Sequence, residues 1–169
     1  VFGGTGPVGI ATGVIASLAG ADVSLVDHMS LDTANDAAKE YNRRCQSKLS
    51  GAVAGSDDEK VAIIADVDII FCTAKAGIQV LSAEVLAQAK QLKVAGDVNA
   101  VPPAGIAGIK ATANGIALEQ PQGAIGVGAL AVGNIKYQVQ NKLLQFTLDT
   151  EKPVYLDFRE AFDKAREVV

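Results

Sequence analysis

Short apolar runs recur along the chain, each closed by glycine or a small polar residue and followed by apolar residues at helical spacing. Ala21 to Val26 reads as a strand that stops at Asp27, and Val67 to Cys72 as a second, running straight into Thr73-Ala74-Lys75-Ala76-Gly77. Lys93 to Val98 is a third, and Asn99 to Gly108 after it is too rich in proline and glycine to be regular structure. Gly51 to Gly55 allows only a very short strand, while Gly115–Leu118 and Ala124–Val127 are two later ones. Between them lie helices. Pro7 to Ala19 carries Val8, Ile10, Val14, Ile15 and Leu18 around its circumference, as a helix packed on a sheet does, and Gly20 ends it. Ser30 can cap a helix from Leu31 to about Ser47, striped by Ala34, Ala37, Ala38 and Tyr41. Ser56-Asp57-Asp58-Glu59 opens another, its acids complementing the helix dipole, to about Ala65. Ser82 to Gln91, about Leu130 to Leu148, and a last run opened by the capping-box-like Asp157-Phe158-Arg159-Glu160 complete the set. Strands alternating with helices predict one α/β domain over residues 1–169, a Rossmann-type doubly wound parallel sheet with right-handed crossovers.

The first nine residues give that sheet a purpose. Gly4-x-Gly6-x-x-Gly9 follows the end of a strand and opens the first helix, the context in which this spacing binds a dinucleotide. Gly4 allows the turn, Gly6 the approach of backbone to a pyrophosphate, and Gly9 close packing of helix on strand. Pro7 suits the first helical position, where its missing N–H is not needed. The free N–H groups over Thr5 to Gly9, Val8 included, then face the phosphates. Asp27 lies 18 residues beyond Gly9, near the ~20 at which an acid grips the adenosine ribose. A polar residue that merely ends a strand is the other reading of Asp27. Only Val1 and Phe2 precede the glycines, so the first strand is expected to be cut short.

Composition narrows the picture by exclusion. With 49% hydrophobic and 20% charged residues the chain is ordinary for a globular α/β protein. The uncharged run from Ala124 to Gly133 is far below the ~20 residues that span a bilayer, so no membrane association is expected. Cys45 and Cys72 lack the paired spacing of a metal site or a disulfide framework, which points to reduced thiols in a cytoplasm and to no metal. Residues 74–147 carry net +3 within a chain of net −4. That mild basicity suits an anionic small molecule or a plain solvated surface, and falls well short of a nucleic-acid patch.

Three stretches together resemble one family: V-F-G-G-T-G-P-V-G from Val1 to Gly9, D-V-N-A-V-P-P-A-G-I-A-G from Asp97 to Gly108, and G-A-I-G-V-G-A-L-A-V-G-N-I-K from Gly123 to Lys136. They are similar to the NAD(P)-dependent methylenetetrahydromethanopterin dehydrogenases of one-carbon metabolism, relatives of the methylenetetrahydrofolate dehydrogenases. The first motif is shared with many dehydrogenases; the N-A-V-P-P-A-G-I segment is far more specific. The resemblance implies a cytoplasmic oxidoreductase that passes a hydride from a methylene-tetrahydropterin to a nicotinamide, a homo-oligomer when full length. It also implies an N-terminal substrate domain that these residues lack, so the chain by itself is expected to be inactive. The nicotinamide end is expected among Thr73, Ala74, Ala76, Asp97, Asn99, Ala100 and Pro102, on loops at strand carboxyl ends. Asn99 there either orients the carboxamide or pterin, or braces the proline-rich loop. No proton need leave the methylene carbon, so positioning can carry the chemistry, and no catalytic residue is assigned.

Members of this family that use NADP carry an arginine at the end of the second strand, where this chain has Asp27-His28-Met29. A carboxylate accepts hydrogen bonds from both ribose hydroxyls of NAD, whereas against a 2′-phosphate it sets like charge on like charge. A histidine gains charge as pH falls, and His28 would then offset part of that repulsion. NAD is therefore favoured over NADP; the alternative has Asp27 turned to the next helix while His28 and Ser30 hold the phosphate. Two other readings stay open: a second two-domain dehydrogenase of the shikimate type, and a non-catalytic dinucleotide-binding module.

Overall fold

The computed structural model describes all residues from Val1 to Val169. Its elements in chain order are α1 (Pro7–Leu18), β1 (Val23–Asp27), α2 (Leu31–Cys45), β2 (Leu49–Val53), α3 (Asp57–Ile64), β3 (Ile69–Cys72), α4 (Ala83–Leu86), β4 (Val94–Asp97), β5 (Asn114–Ala117), β6 (Ile125–Val127), α5 (Ala129–Asp149) and α6 (Phe158–Ala165). β1 pairs with β2, and β3 with β4 and then β6, all parallel. The two groups are joined by two residues. Phe2 bridges Val26 on one side and Cys72 on the other, both parallel. Its N–H donates to Phe71 O at 2.8 Å, its carbonyl accepts from Thr73 N at 2.9 Å, and Val1 O accepts from Val26 N at 2.8 Å. The order across the sheet is thus β2, β1, the opening segment, β3, β4, β6. The chain winds outward from Phe2 one way and then the other, which puts the switch point at the glycine turn. One strand departs from the parallel expectation: β5 runs antiparallel to β6 at the edge, where a parallel sheet often carries such a strand.

Alternation along β1 shows why both faces need helices. Val23 and Leu25 pack with Val14 of α1, Ala38 of α2 and Leu49 of β2. Val26 points the other way, into the larger core of Phe2, Ile64, Ile70, Leu81, Leu86, Ala95 and Ile106. The α3 helix starts with a complete capping box, Ser56 accepting from Glu59 N and Glu59 reaching back to Ser56 N. The expected helix over 82–91 keeps only one regular turn. After Leu86 the bonds tighten to the third residue back, Gln88 N to Val85 O and Ala89 N to Leu86 O, as the chain turns to enter β4. No helix is long and apolar enough to cross a membrane.

Candidate functional site

The glycine turn sits at the carboxyl ends of the opening segment, β1 and β3, and its glycines answer to different constraints. Gly3, which the motif spacing overlooks, is the one with positive φ, at 67°. A Cβ there would lie 2.6 Å from Ala74 N, so the turn closes against the loop after β3. At Gly4 a Cβ would lie 2.8 Å from Leu25 Cα, and at Gly9 2.7 Å from Gly4 Cα and 2.8 Å from Thr73 Oγ1. These three are required by the fold. Gly6 is not: a Cβ there would meet only Gly3 O, at 3.5 Å, and its φ of −77° suits any residue. Gly6 is the N-cap of α1 and offers no side chain to it. The N–H groups of Thr5, Val8 and Gly9 have no acceptor within the protein, and Val8 is exposed. Unpaired N–H groups at the positive end of a helix dipole form an anion cradle.

Asp27 closes the cradle on the β1 side. Its Oδ2 accepts from Thr5 Oγ1 at 2.8 Å, and its Oδ1 from the N–H groups of Met29 at 2.8 Å and Ser30 at 2.9 Å. Burial raises the Asp27 pKa, but these bonds and nearby His28 outweigh it and hold the carboxyl below its ordinary value. Ser30 itself caps α2 by accepting from Thr33 N at 3.1 Å. His28 is exposed, and its carbonyl faces Gly55, where a Cβ would lie 2.9 Å from it. The first turn of α3 behind Gly55 holds Asp57, Asp58 and Glu59. Its Glu59 is held below the ordinary carboxylate range by Ser56 and the Gly55 N–H. Asp27 and the first turn of α3 are therefore rich in carboxylates, with Lys60 engaged by Asp57 at 2.8 Å.

The loops after β3 and β4 are fastened to the turn and to each other. Thr73 Oγ1 donates to Phe2 O at 3.0 Å and Gly3 O at 3.1 Å, while Ala76 stands exposed beyond it. Asp97 is only 1% exposed and does not present its carboxylate to the cleft. Its Oδ1 accepts from Asn99 N at 2.9 Å and its Oδ2 from Ile106 N at 3.1 Å. Asn99 is equally occupied: Oδ1 accepts from Val101 N at 2.9 Å and Gly77 N at 3.3 Å, and Nδ2 donates to Pro103 O at 2.9 Å. The bracing role of Asn99 is the one its hydrogen bonds describe, and Ala100 and Pro102 form the exposed crest it supports. Gly105, another residue the motif reading passed over, lets this loop close on the strands: a Cβ there would lie 2.6 Å from Cys72 Sγ. Burial pushes the Cys72 thiol up to about 11, so it is packing, not a nucleophile.

Two sizeable hollows lie away from the cradle. One, of about 680 Å³, borders β5 between Lys110 and Gln120; the other, of about 580 Å³, opens between the amino ends of β1 and β3. Neither includes the Gly4–Gly9 turn, where Pro7 and Val8 are exposed and Gly4 and Gly9 buried.

No protein-family model matches the chain. It is 43% identical over 169 residues, 99% of its length, to the NAD(P)-dependent methylenetetrahydromethanopterin dehydrogenase of Methylorubrum extorquens, and spans 56% of that protein. The bifunctional protein MdtA of the same organism is 27% identical over 149 residues, 88% of this chain and 50% of that one. The chain thus spans about half the length of these curated relatives. Among solved structures, an L-alanine dehydrogenase superposes with a TM-score of 0.56 at 15% identity, over 97% of this chain and 52% of that one. Identity that low speaks for the fold alone, and that fold is the Rossmann type. At 43% identity across nearly every residue, the chain is similar to about half of the NAD(P)-dependent methylenetetrahydromethanopterin dehydrogenase of that organism, from the family that its three motifs resemble.

Proposed function

We propose that this chain is the dinucleotide-binding part of a one-carbon dehydrogenase that moves a hydride from a methylene-tetrahydropterin to a nicotinamide. The observation that carries the reading is Gly6. Its neighbours in the motif lack a side chain because the fold forbids one, but space at Gly6 is open, so its bareness answers to something outside the chain. The unpaired N–H groups beside it, at the amino end of α1, suit a pyrophosphate. NAD is favoured over NADP because Asp27, bonded to Thr5 of the turn, stands at the end of β1 where a ribose would lie, and His28 and Met29 follow it in place of an arginine.

When bound, the nicotinamide supplies the hydride acceptor. The chain's own contribution is placement: the Gly3–Thr73 and Gly77–Asn99 fastenings hold two loop crests, Ala74–Ala76 and Ala100–Pro102, as one wall of a cleft. The absence of an acid–base pair on these loops agrees with a reaction that needs orientation and no proton abstraction. The second wall and the pterin site belong to a further domain of the whole enzyme, a cytoplasmic homo-oligomer, so residues 1–169 alone bind dinucleotide weakly and turn nothing over. The test is Gly6→Val, followed by calorimetric titration with NAD and NADP and by thermal unfolding. The expected result is an unchanged melting temperature with NAD binding lost. NAD binding that survives the valine would overturn the reading.

A further inference from the structure

Thr5 carries the one side-chain hydroxyl on the glycine turn, and that hydroxyl is engaged within the chain, donating to Asp27 Oδ2 at 2.8 Å across 22 residues. A carboxylate has about four acceptor positions. Three of Asp27's are filled, by Thr5 Oγ1, Met29 N and Ser30 N, so its plane is fixed and one position on Oδ2 stays open. Thr5 is β-branched, with restricted rotation about χ1, which makes the contact a stiff one.

We propose that Thr5 is a positioning residue that sets dinucleotide choice through Asp27, an inference that rests on the dinucleotide reading above. The bond acts twice. It fixes the remaining acceptor position of Asp27 for a ribose 2′-hydroxyl, and it engages the hydroxyl of the turn that would otherwise be free to donate to a 2′-phosphate. Both effects favour the ribose diol over its phosphorylated form. A merely structural tie between the turn and the end of β1 would stabilise the fold and weaken both dinucleotides equally when cut.

The test compares wild type, Thr5→Val, Thr5→Ser and Thr5→Ala in the whole protein. Affinities for NAD and NADP are read by calorimetry, and the Asp27 carboxyl is titrated by NMR. Loss of a hydrogen bond to a charged group predicts that Thr5→Val weakens NAD about tenfold. NADP changes less, the ratio of the two affinities narrows, and the Asp27 carboxyl titrates higher than in wild type. Thr5→Ser restores both readouts. Thr5→Ala, which removes the hydroxyl without placing a methyl group in its position, repeats the valine result if valine disturbs folding. An equal factor on both dinucleotides, or a serine variant that behaves as valine does, overturns the role of Thr5 alone. A wild-type protein that binds neither dinucleotide overturns the underlying reading and this inference with it.

Discussion

Around the glycine turn, polar side chains are claimed by neighbours within the chain, whereas along α5 and the segment after it large apolar side chains stand in the open. A Cβ added at Gly3, Gly4 or Gly9 would lie within 3 Å of neighbouring backbone atoms, and Asp97 and Asn99 are all but enclosed. Of the 21 residues of α5 only Val139 is buried, and Leu144, Leu148 and Tyr155 are 62%, 84% and 88% exposed. The first region is specified by contacts at fixed distance, so single atoms matter there. The second is held by helix propensity, by caps and by α5 packing on α6, so many sequences would serve it equally well.

The strongest way to break that contrast is Gly9→Val. The added carbons would strike Gly3 O, Gly4 Cα and Thr73 Oγ1, and the first two are backbone atoms of the same tight turn. Overpacking against backbone that cannot yield costs about 3 kcal/mol or more, enough to unfold a marginal domain. Chemical denaturation should show a greatly lowered midpoint or no cooperative transition. A wild-type midpoint would mean that the turn is far softer than its distances indicate.

Asp97→Ala comes next. It leaves the N–H groups of Asn99 and Ile106 buried without acceptors. Each such orphan costs about 1–3 kcal/mol, and water entering the space left by the carboxylate would relieve part of it, so about 3 kcal/mol in denaturation is expected. Asp97→Asn keeps one acceptor oxygen and should lose roughly half as much.

How much of this was legible in the sequence follows the same divide. The switch point is readable because glycine spacing at a strand–helix junction encodes backbone geometry directly, and the place of Asp27 at the end of β1 because its distance from Gly9 is set by one helix and one strand. Asp97 is legible as a residue but not as a buried brace, and for Asn99 bracing is one of the two readings that the sequence leaves open. A sequence shows which donors and acceptors exist, and only the fold shows that theirs are turned inward to Ile106 N, Val101 N and Pro103 O. Gly3 and Gly105 escaped because a close approach between Gly3 and Ala74, or between Gly105 and Cys72, joins segments more than 30 residues apart. The apolar spacing over 82–91 is helical to the end and so hides the early stop of α4; the tightening after Leu86 comes from the need to turn into β4.

The cap of α6 gives a smaller effect, with a sign. Asp157 accepts from Arg159 N at 2.8 Å and pairs with the Arg159 side chain at 2.6 Å; led by that pairing, its pKa falls from 3.8 to about 2. A carboxylate whose pKa is depressed on folding contributes stability that is complete above its unfolded value and is lost as pH falls through the folded one. Asp157→Ala should therefore cost about 1 kcal/mol at neutral pH, a usual amount for an N-cap. The gap from wild type should close between pH 4 and about 2, followed by thermal unfolding across that range. A gap independent of pH would mean that the carboxylate charge is not what holds α6.

The smallest effect is expected where the apolar surface is largest, at Leu148 and Tyr155. Each is more than four-fifths exposed, so replacing either with serine removes little area from a packed interior. A hydrophobic side chain contributes to stability only through surface withdrawn from water, at about 25 cal/mol per Å². Nearly all the surface of these two stays wet, and substitutions at such positions fall within about 0.5 kcal/mol. Leu148 also lies in the last turn of α5, where fraying reduces any helix-propensity cost of serine. Leu148→Ser and Tyr155→Ser should thus leave the denaturation midpoint of residues 1–169 nearly unchanged, beside the large losses at Gly9 and Asp97. A loss above about 1 kcal/mol at either position would show that the C-terminal helices are held by specific packing after all, and would erase the contrast between the two regions.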